Sequence, residues 1–87
     1  QLTDVPERFI VAEMVREQIL KRTKDEVPYG VAVQVERFQE NPSRNMIGID
    51  AVIHVERDSQ KRIIVGKGGT MIKQIGQAAR KEIERLL

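Results

Sequence analysis

Four consecutive residues, Gly66-Lys67-Gly68-Gly69, have types and spacing that could do chemistry. The apolar run Ile63-Ile64-Val65 leads into them. A helical pattern begins directly afterwards, with Ile72, Ile75, Ala79, Ile83 and Leu86 on one stripe. Glycine has no Cβ, so another backbone can approach closely and a positive φ costs little. A helix that starts at such a turn directs unpaired N–H groups and the positive end of its dipole outward. The implied chemistry is recognition of an anionic backbone, with Lys67 adding a mobile charge at the tip. A tight interhelical turn alone would account for one or two of the glycines, but it gives no reason for the lysine between them.

Two nucleotide-binding motifs are excluded. A P-loop needs G-x-x-x-x-G-K-[ST], but Gly68 follows Lys67, and Lys61 stands where the first glycine would fall. The dinucleotide fingerprint G-x-G-x-x-G would need glycine where Met71 stands. What remains is G-x-x-G, from Gly66 to Gly69.

Charge is concentrated around the same turn. Residues 1–56 hold seven Lys/Arg against ten Asp/Glu, a balance of −3, whereas residues 57–81 hold seven against Asp58 alone, a balance of +6. Residues 82–87 add −1, which gives the overall +2. Lys61, Arg62, Lys67 and Lys73 lie within roughly one helical turn of the loop. Their field favours a phosphate ligand. Arg80 and Lys81 are read as a solvated helix face.

The elements that must position this turn follow from the rest of the 87 residues, a length that suits one small domain. Gln1 to Thr3 read as a linker remnant. Asp4, Pro6 and Glu7 suggest a helix start, and a helical pattern continues to about Lys24 with Val11, Ala12, Val15, Ile19 and Leu20 on one side. Pro28-Tyr29-Gly30 ends it. Val31 to Phe38 alternates as a half-buried strand, residues 39–45 form a polar loop, and Ile47 to Arg57 gives a second strand. On that strand Ile49, Ala51, Ile53 and Val55 face away from Asp50, His54 and Glu56. Asp58 is expected to cap a short helix from Ser59 to about Val65, and the final helix runs from about Thr70 to Leu87. Gly76 within it suggests close packing against a neighbour. The pattern is α+β, with helices on one face of a small sheet.

With the elements in this order, Val65-Gly66-Lys67-Gly68-Gly69 resembles the GxxG loop of a KH domain of the bacterial, type II arrangement. Pro6-Glu7-Arg8-Phe9, Glu26-Val27-Pro28-Tyr29 and the run from His54 to Gly69 are similar to the C-terminal KH domain of the bacterial Era GTPase family. The resemblance implies that the GxxG loop clamps about four single-stranded nucleotides. Gly66, Lys67, Gly68 and Gly69 would then hold phosphates, with Lys61, Arg62, Thr70 and Lys73 beside them. Ile63, Ile64 and Val65 would form one wall of an apolar groove, and Ile53 and Val55 the other. Only Phe9, Tyr29 and Phe38 are aromatic, so a platform of stacked rings is not available.

The implied partner is single-stranded RNA, specifically small-subunit ribosomal RNA and the small ribosomal subunit during ribosome assembly. The family's GTP and Mg would belong to a GTPase half with no counterpart here, so no cofactor is expected in this domain. The family's fold also implies a further strand of about six to eight residues after Leu87. Cytoplasmic location is expected, with peripheral association at the inner membrane for the parent protein. The absence of cysteine excludes disulfides and thiolate metal sites.

Two rival readings stand beside this one. A protein-docking module of KH-like fold could use an unpaired sheet edge, although it would not need positive charge at the loop. A KH domain of another RNA-binding protein is the other. An enzyme has little support, because His54 is the only histidine and has no suggestive nucleophile. Asp50, His54 and Glu56 make a formal metal constellation but fall short of an ordinary ligand set.

Overall fold

A computed structural model describes residues 4–23 and 30–87. The readings at Gln1 to Thr3, at Lys24 and at Glu26 to Tyr29 lie outside those residues, as does the side chain of Asp4. The described elements are α1 (Asp4–Thr23), β1 (Val31–Asn41), β2 (Met46–Val55), α2 (Asp58–Val65) and α3 (Thr70–Leu86). Short 3₁₀ turns at Pro42–Arg44 and Lys67–Gly69 join the strands and the last two helices.

The expected α+β architecture is present, with helices covering one face of an antiparallel pair. Ile19 of α1, Val31 of β1, Ile64 of α2 and Ile75 of α3 meet in one buried cluster. Val11, Ala12, Val35 and Phe38 form a second, with Ile49 and Ile83 packed against it. Because Ile19 lies with Ile75 while Val11 lies with Ile83, α1 and α3 run in opposite directions.

The hairpin is longer than the alternation suggested. Its strands extend to Asn41 and from Met46, leaving only residues 42–45 as the turn, and β2 ends at Val55 rather than Arg57. Asn45, at φ 52°, donates its N–H to the Pro42 carbonyl at 3.2 Å and closes that turn. The register passes from Val35↔Ala51 to Arg37↔Asp50, so Glu36 is an extra residue that forms a bulge. Strict alternation would put Phe38 on the polar face with Gln34. The bulge resets the phase and turns Phe38 into the core beside Val35.

Arg16 and Arg8 of α1 donate to the β1 carbonyls of Val31 (3.0 Å) and Val35 (3.4 Å). These positions share parity along the strand, so both carbonyls lie on the edge away from β2. The arginines therefore occupy two acceptors of that edge.

Four smaller readings are corrected. Gly76 is exposed, and a Cβ there would meet nothing within 4 Å, so it marks no close approach. Leu86 is 51% exposed and contributes nothing to the α3 stripe. Leu20 is only half-buried and lies in a cleft with Phe9, Ile10 and Met14 on the outer side of α1. Ala51, although it shares the helix-side face of β2, is exposed because β2 lies at the edge.

Replacing Phe38 by alanine should reduce stability by about 3–5 kcal/mol, the usual cost of emptying a buried phenylalanine site. Urea denaturation checks this, and a loss below about 1 kcal/mol would show that the bulge does not bring Phe38 into the core.

Candidate nucleic-acid interface

The approach to the loop begins at the start of α2. Arg57 is extended at φ −138°, ψ 148°, and the helix starts at Asp58. Asp58 is therefore inside the first turn and is not the cap. Gln60 does that work: its Oε1 accepts from the N–H groups of Glu56 and Arg57, both at 3.0 Å. A glutamine three residues past an extended residue is a readable capping signal, but Asp58 is the more familiar candidate and masks it.

At its other end α2 stops abruptly. Gly66 donates to the Arg62 carbonyl at 2.8 Å, and Gly69 donates to the Gly66 carbonyl at 3.1 Å. The Thr70 hydroxyl donates to the Lys67 carbonyl at 2.9 Å and ties the turn to the start of α3. Gly66, Gly68 and Gly69 have φ of 78°, 63° and 79°. Gly66 also has ψ 172°, a region essentially confined to glycine. A Cβ on Gly66 would stand 2.6 Å from the Cβ of Met71, whereas one on Gly68 would meet nothing within 4 Å. One glycine is needed for packing, and the other lies under open space.

The structure gathers most of the expected residues about this turn and removes one. Lys61, Arg62, Lys67 and Lys73 are exposed around the loop, and among the described residues none of them forms an ion pair. Lys67 and Gly68 are exposed at the tip of the turn. The hydroxyl proton of Thr70 is engaged within the turn. Ile64 is 3% exposed in the core with Ile19 and Ile75, so it cannot line a groove. On an eight-residue helix the successive side chains of Ile63, Ile64 and Val65 point about 100° apart. One of them goes inward, while Ile63 stays half-buried and Val65 is 37% exposed. Ile53 and Val55 are half-buried and pack with Ile63 around the same cluster. Met71 and Ile72 of the first α3 turn join them, a pair that the sequence reading did not single out for the site. Their position just after the loop was the available signal.

On the polar face of the sheet, Asp50 accepts from Arg37 Nε at 2.7 Å, and His54 lies 3.2 Å from Gln34 Oε1. The hydrogen bond from Arg37 holds the Asp50 carboxyl below the usual carboxylate range. Asp50, His54 and Glu56 do not converge, and among the described residues no group of three or more such side chains could hold a metal.

A glycine-lined turn between two helices, set beside a two-stranded sheet and bordered by four exposed cations, defines an α+β module with a candidate anion-binding loop. Residues 26–87 match the family model described as KH domain, and the chain belongs to that family. The GTPase Era of Geobacter metallireducens is 59% identical over 86 residues, covering 99% of this chain and 29% of that protein. The GTPase Era of Carboxydothermus hydrogenoformans is 59% identical over 87 residues, covering 100% of this chain and 29% of that protein. The chain thus spans less than a third of the length of these relatives. The crystal structure of Era in complex with MgGDPNP and nucleotides 1506–1542 of 16S ribosomal RNA matches with a TM-score of 0.87 at 39% identity, over 95% of this chain and 28% of that one. The likeness to the C-terminal KH domain of Era therefore extends along essentially the whole sequence.

The two glycines should respond differently to alanine. Gly68→Ala meets only left-handed strain, about 1–2 kcal/mol. Gly66→Ala adds overlap with Met71 and should cost clearly more than Gly68→Ala. Urea midpoints of the two variants give the comparison, and equal losses would contradict the close approach of Met71.

Proposed function

We propose that this chain binds single-stranded RNA by seating its phosphates on Gly66-Lys67-Gly68-Gly69. The observation that supports this most directly is the open space over Gly68 within a ring of exposed cations. Backbone N–H groups at the tip and the start of α3 supply neutral donors, while Lys61, Arg62, Lys67 and Lys73 supply charge. The bases would lie along Ile63, Val65, Ile53 and Val55. Thr70 serves by fixing the turn, and Ile64 supports the wall from behind.

Kinship with proteins named GTPase Era, one of them solved with 16S ribosomal RNA nucleotides, favours a more specific reading. On this reading the RNA is the 3′ end of small-subunit ribosomal RNA, bound during ribosome assembly by an Era-type GTPase. The domain itself is non-catalytic, and GTP and Mg act at residues outside this chain. Such a protein would work in the cytoplasm on the small ribosomal subunit, with peripheral contact at the inner membrane.

A single strand of a few nucleotides should bind better than a duplex of equal length. With two or three phosphates neutralised, log K should fall against log salt with a slope of roughly −1.5 to −2. Replacing Lys67 and Gly68 together by aspartate puts two negative charges at the phosphate seat, in a backbone that aspartate tolerates at position 68. Affinity should fall at least about tenfold, since it loses charge-assisted contacts worth more than about 1.4 kcal/mol. The circular-dichroism spectrum should match the parent's. Retained affinity in the folded double variant would remove the loop from the mechanism.

A further inference from the structure

We propose that the groove between α1 and α3 is a second RNA-backbone subsite, which takes the sugar-phosphate chain beyond the nucleotides held at the loop. The inference rests on the single-strand reading above. Gln18 and Arg22 of α1 form one wall of this groove, and Gln74, Gln77 and Lys81 of α3 form the other. Gln18 is only 5% exposed, and its Oε1 accepts from Arg22 Nη1 at 2.5 Å. The buried amide thus anchors the guanidinium of Arg22, an exposed residue lining the groove.

The other charges of the groove are largely cancelled. Arg80 pairs with Glu84 and Arg85 with Glu82, each at 3.0 Å. Arg22 and Lys81 form no ion pair among the described residues, and they supply the groove's net positive charge. Gln74, Gln77 and Lys81 share one side of α3, at spacings of three, four and seven residues. Measured along the helix axis, Gln74 lies about 6 Å from Thr70 and Lys81 about 16 Å. The groove therefore starts one turn from the GxxG loop and leads away from it. Two cations and two amides, the latter able both to donate and to accept, suit phosphate oxygens and ribose hydroxyls. An acidic peptide would match the cations but would make less use of the glutamines, and it would have no reason to be continuous with the loop.

The test compares a tetranucleotide with twelve-nucleotide RNAs that carry it at the 5′ end or at the 3′ end, measured by fluorescence anisotropy across a salt series. At least one long RNA should bind about tenfold more tightly than the short one, with a salt slope steeper by about 1.4 for two more phosphates. Making the extension's linkages uncharged methylphosphonates should abolish the gain. The double variant Arg22→Gln, Lys81→Gln should also lose it, while leaving tetranucleotide affinity within about twofold of the parent's. If neither long RNA gains affinity or slope in the parent protein, the second subsite is overturned whatever the variant does. It is likewise overturned if the variant weakens short and long RNA equally, or if the methylphosphonate RNA keeps the gain. The Lys67/Gly68 aspartate variant tests the loop separately: its failure to weaken the tetranucleotide would sink the primary reading and leave the groove result interpretable by itself.

Discussion

The domain depends on one close approach. The backbone of Gly66 passes so near Met71 that no side chain fits between them, and this lets α2 turn into α3 within four residues. Both helices must deliver a residue to the same core, Ile64 from one side of the turn and Ile75 from the other. A bulkier residue at position 66 would push the start of α3 outward and move Ile75 away from Ile19 and Val31. The same tight geometry forces Lys67 and Gly68 out into solvent. The packing constraint and the exposed cationic tip are thus two consequences of one turn, so the tip can be rigid without a ligand to order it.

The arginines and lysines divide between two tasks. Arg8 and Arg16 lie against β1 and cover carbonyls that would otherwise invite another strand. Arg37 crosses to Asp50 on the polar face of the hairpin, where an exposed pair contributes little to stability. Three of the seven cations of the acidic first two-thirds, Arg8, Arg16 and Arg37, are thus engaged within the fold. Lys61, Arg62, Lys67 and Lys73 have no such duties among the described residues. Their cost in mutual repulsion is small in water, and it is relieved when an anion arrives.

Much of this was legible because it was local. The order of elements, the α3 stripe through Ile83 and the glycine turn all follow from period and composition, and the structure bears them out. What was not legible depended on choices between near-equivalent neighbours. Ile63, Ile64 and Val65 are alike in hydrophobicity, and only the position of α1 and α3 decides that Ile64 is the one buried. The bulge at Glu36 was hidden for a related reason. Alternation states which residues share a face, but the pairing with β2 decides where the phase slips, and Phe38 is buried only because it does. Gly76 looked like a packing glycine and is exposed, so helix propensity alone does not explain it. Gln60 was overlooked because caps are sought in the residue before the helix, and here the side chain reaches back from inside.

The burial of Ile64 also bears on how such a site can bind at all. On the proposed reading, the α2 wall available to a base is reduced to half-buried Ile63 and the edge of Val65, with half-buried Ile53 and Val55 opposite. Stacking on aromatic rings would offer about 1–3 kcal/mol per base, and this surface has no ring to offer. Apolar contact at about 25 cal/mol per Å² over so thin a wall adds only modestly. If RNA binds as proposed, most of the interaction must then come from phosphate contacts, which depend on geometry at the tip and on local charge more than on base identity. A loop held rigid by its own packing suits that task, because donors that are already aimed need no ordering when the backbone arrives. It also follows that one short contact of this kind gives limited affinity. Greater affinity has to come from neighbouring surface, and the groove between α1 and α3, lined by Arg22 and Lys81, is the surface proposed for it.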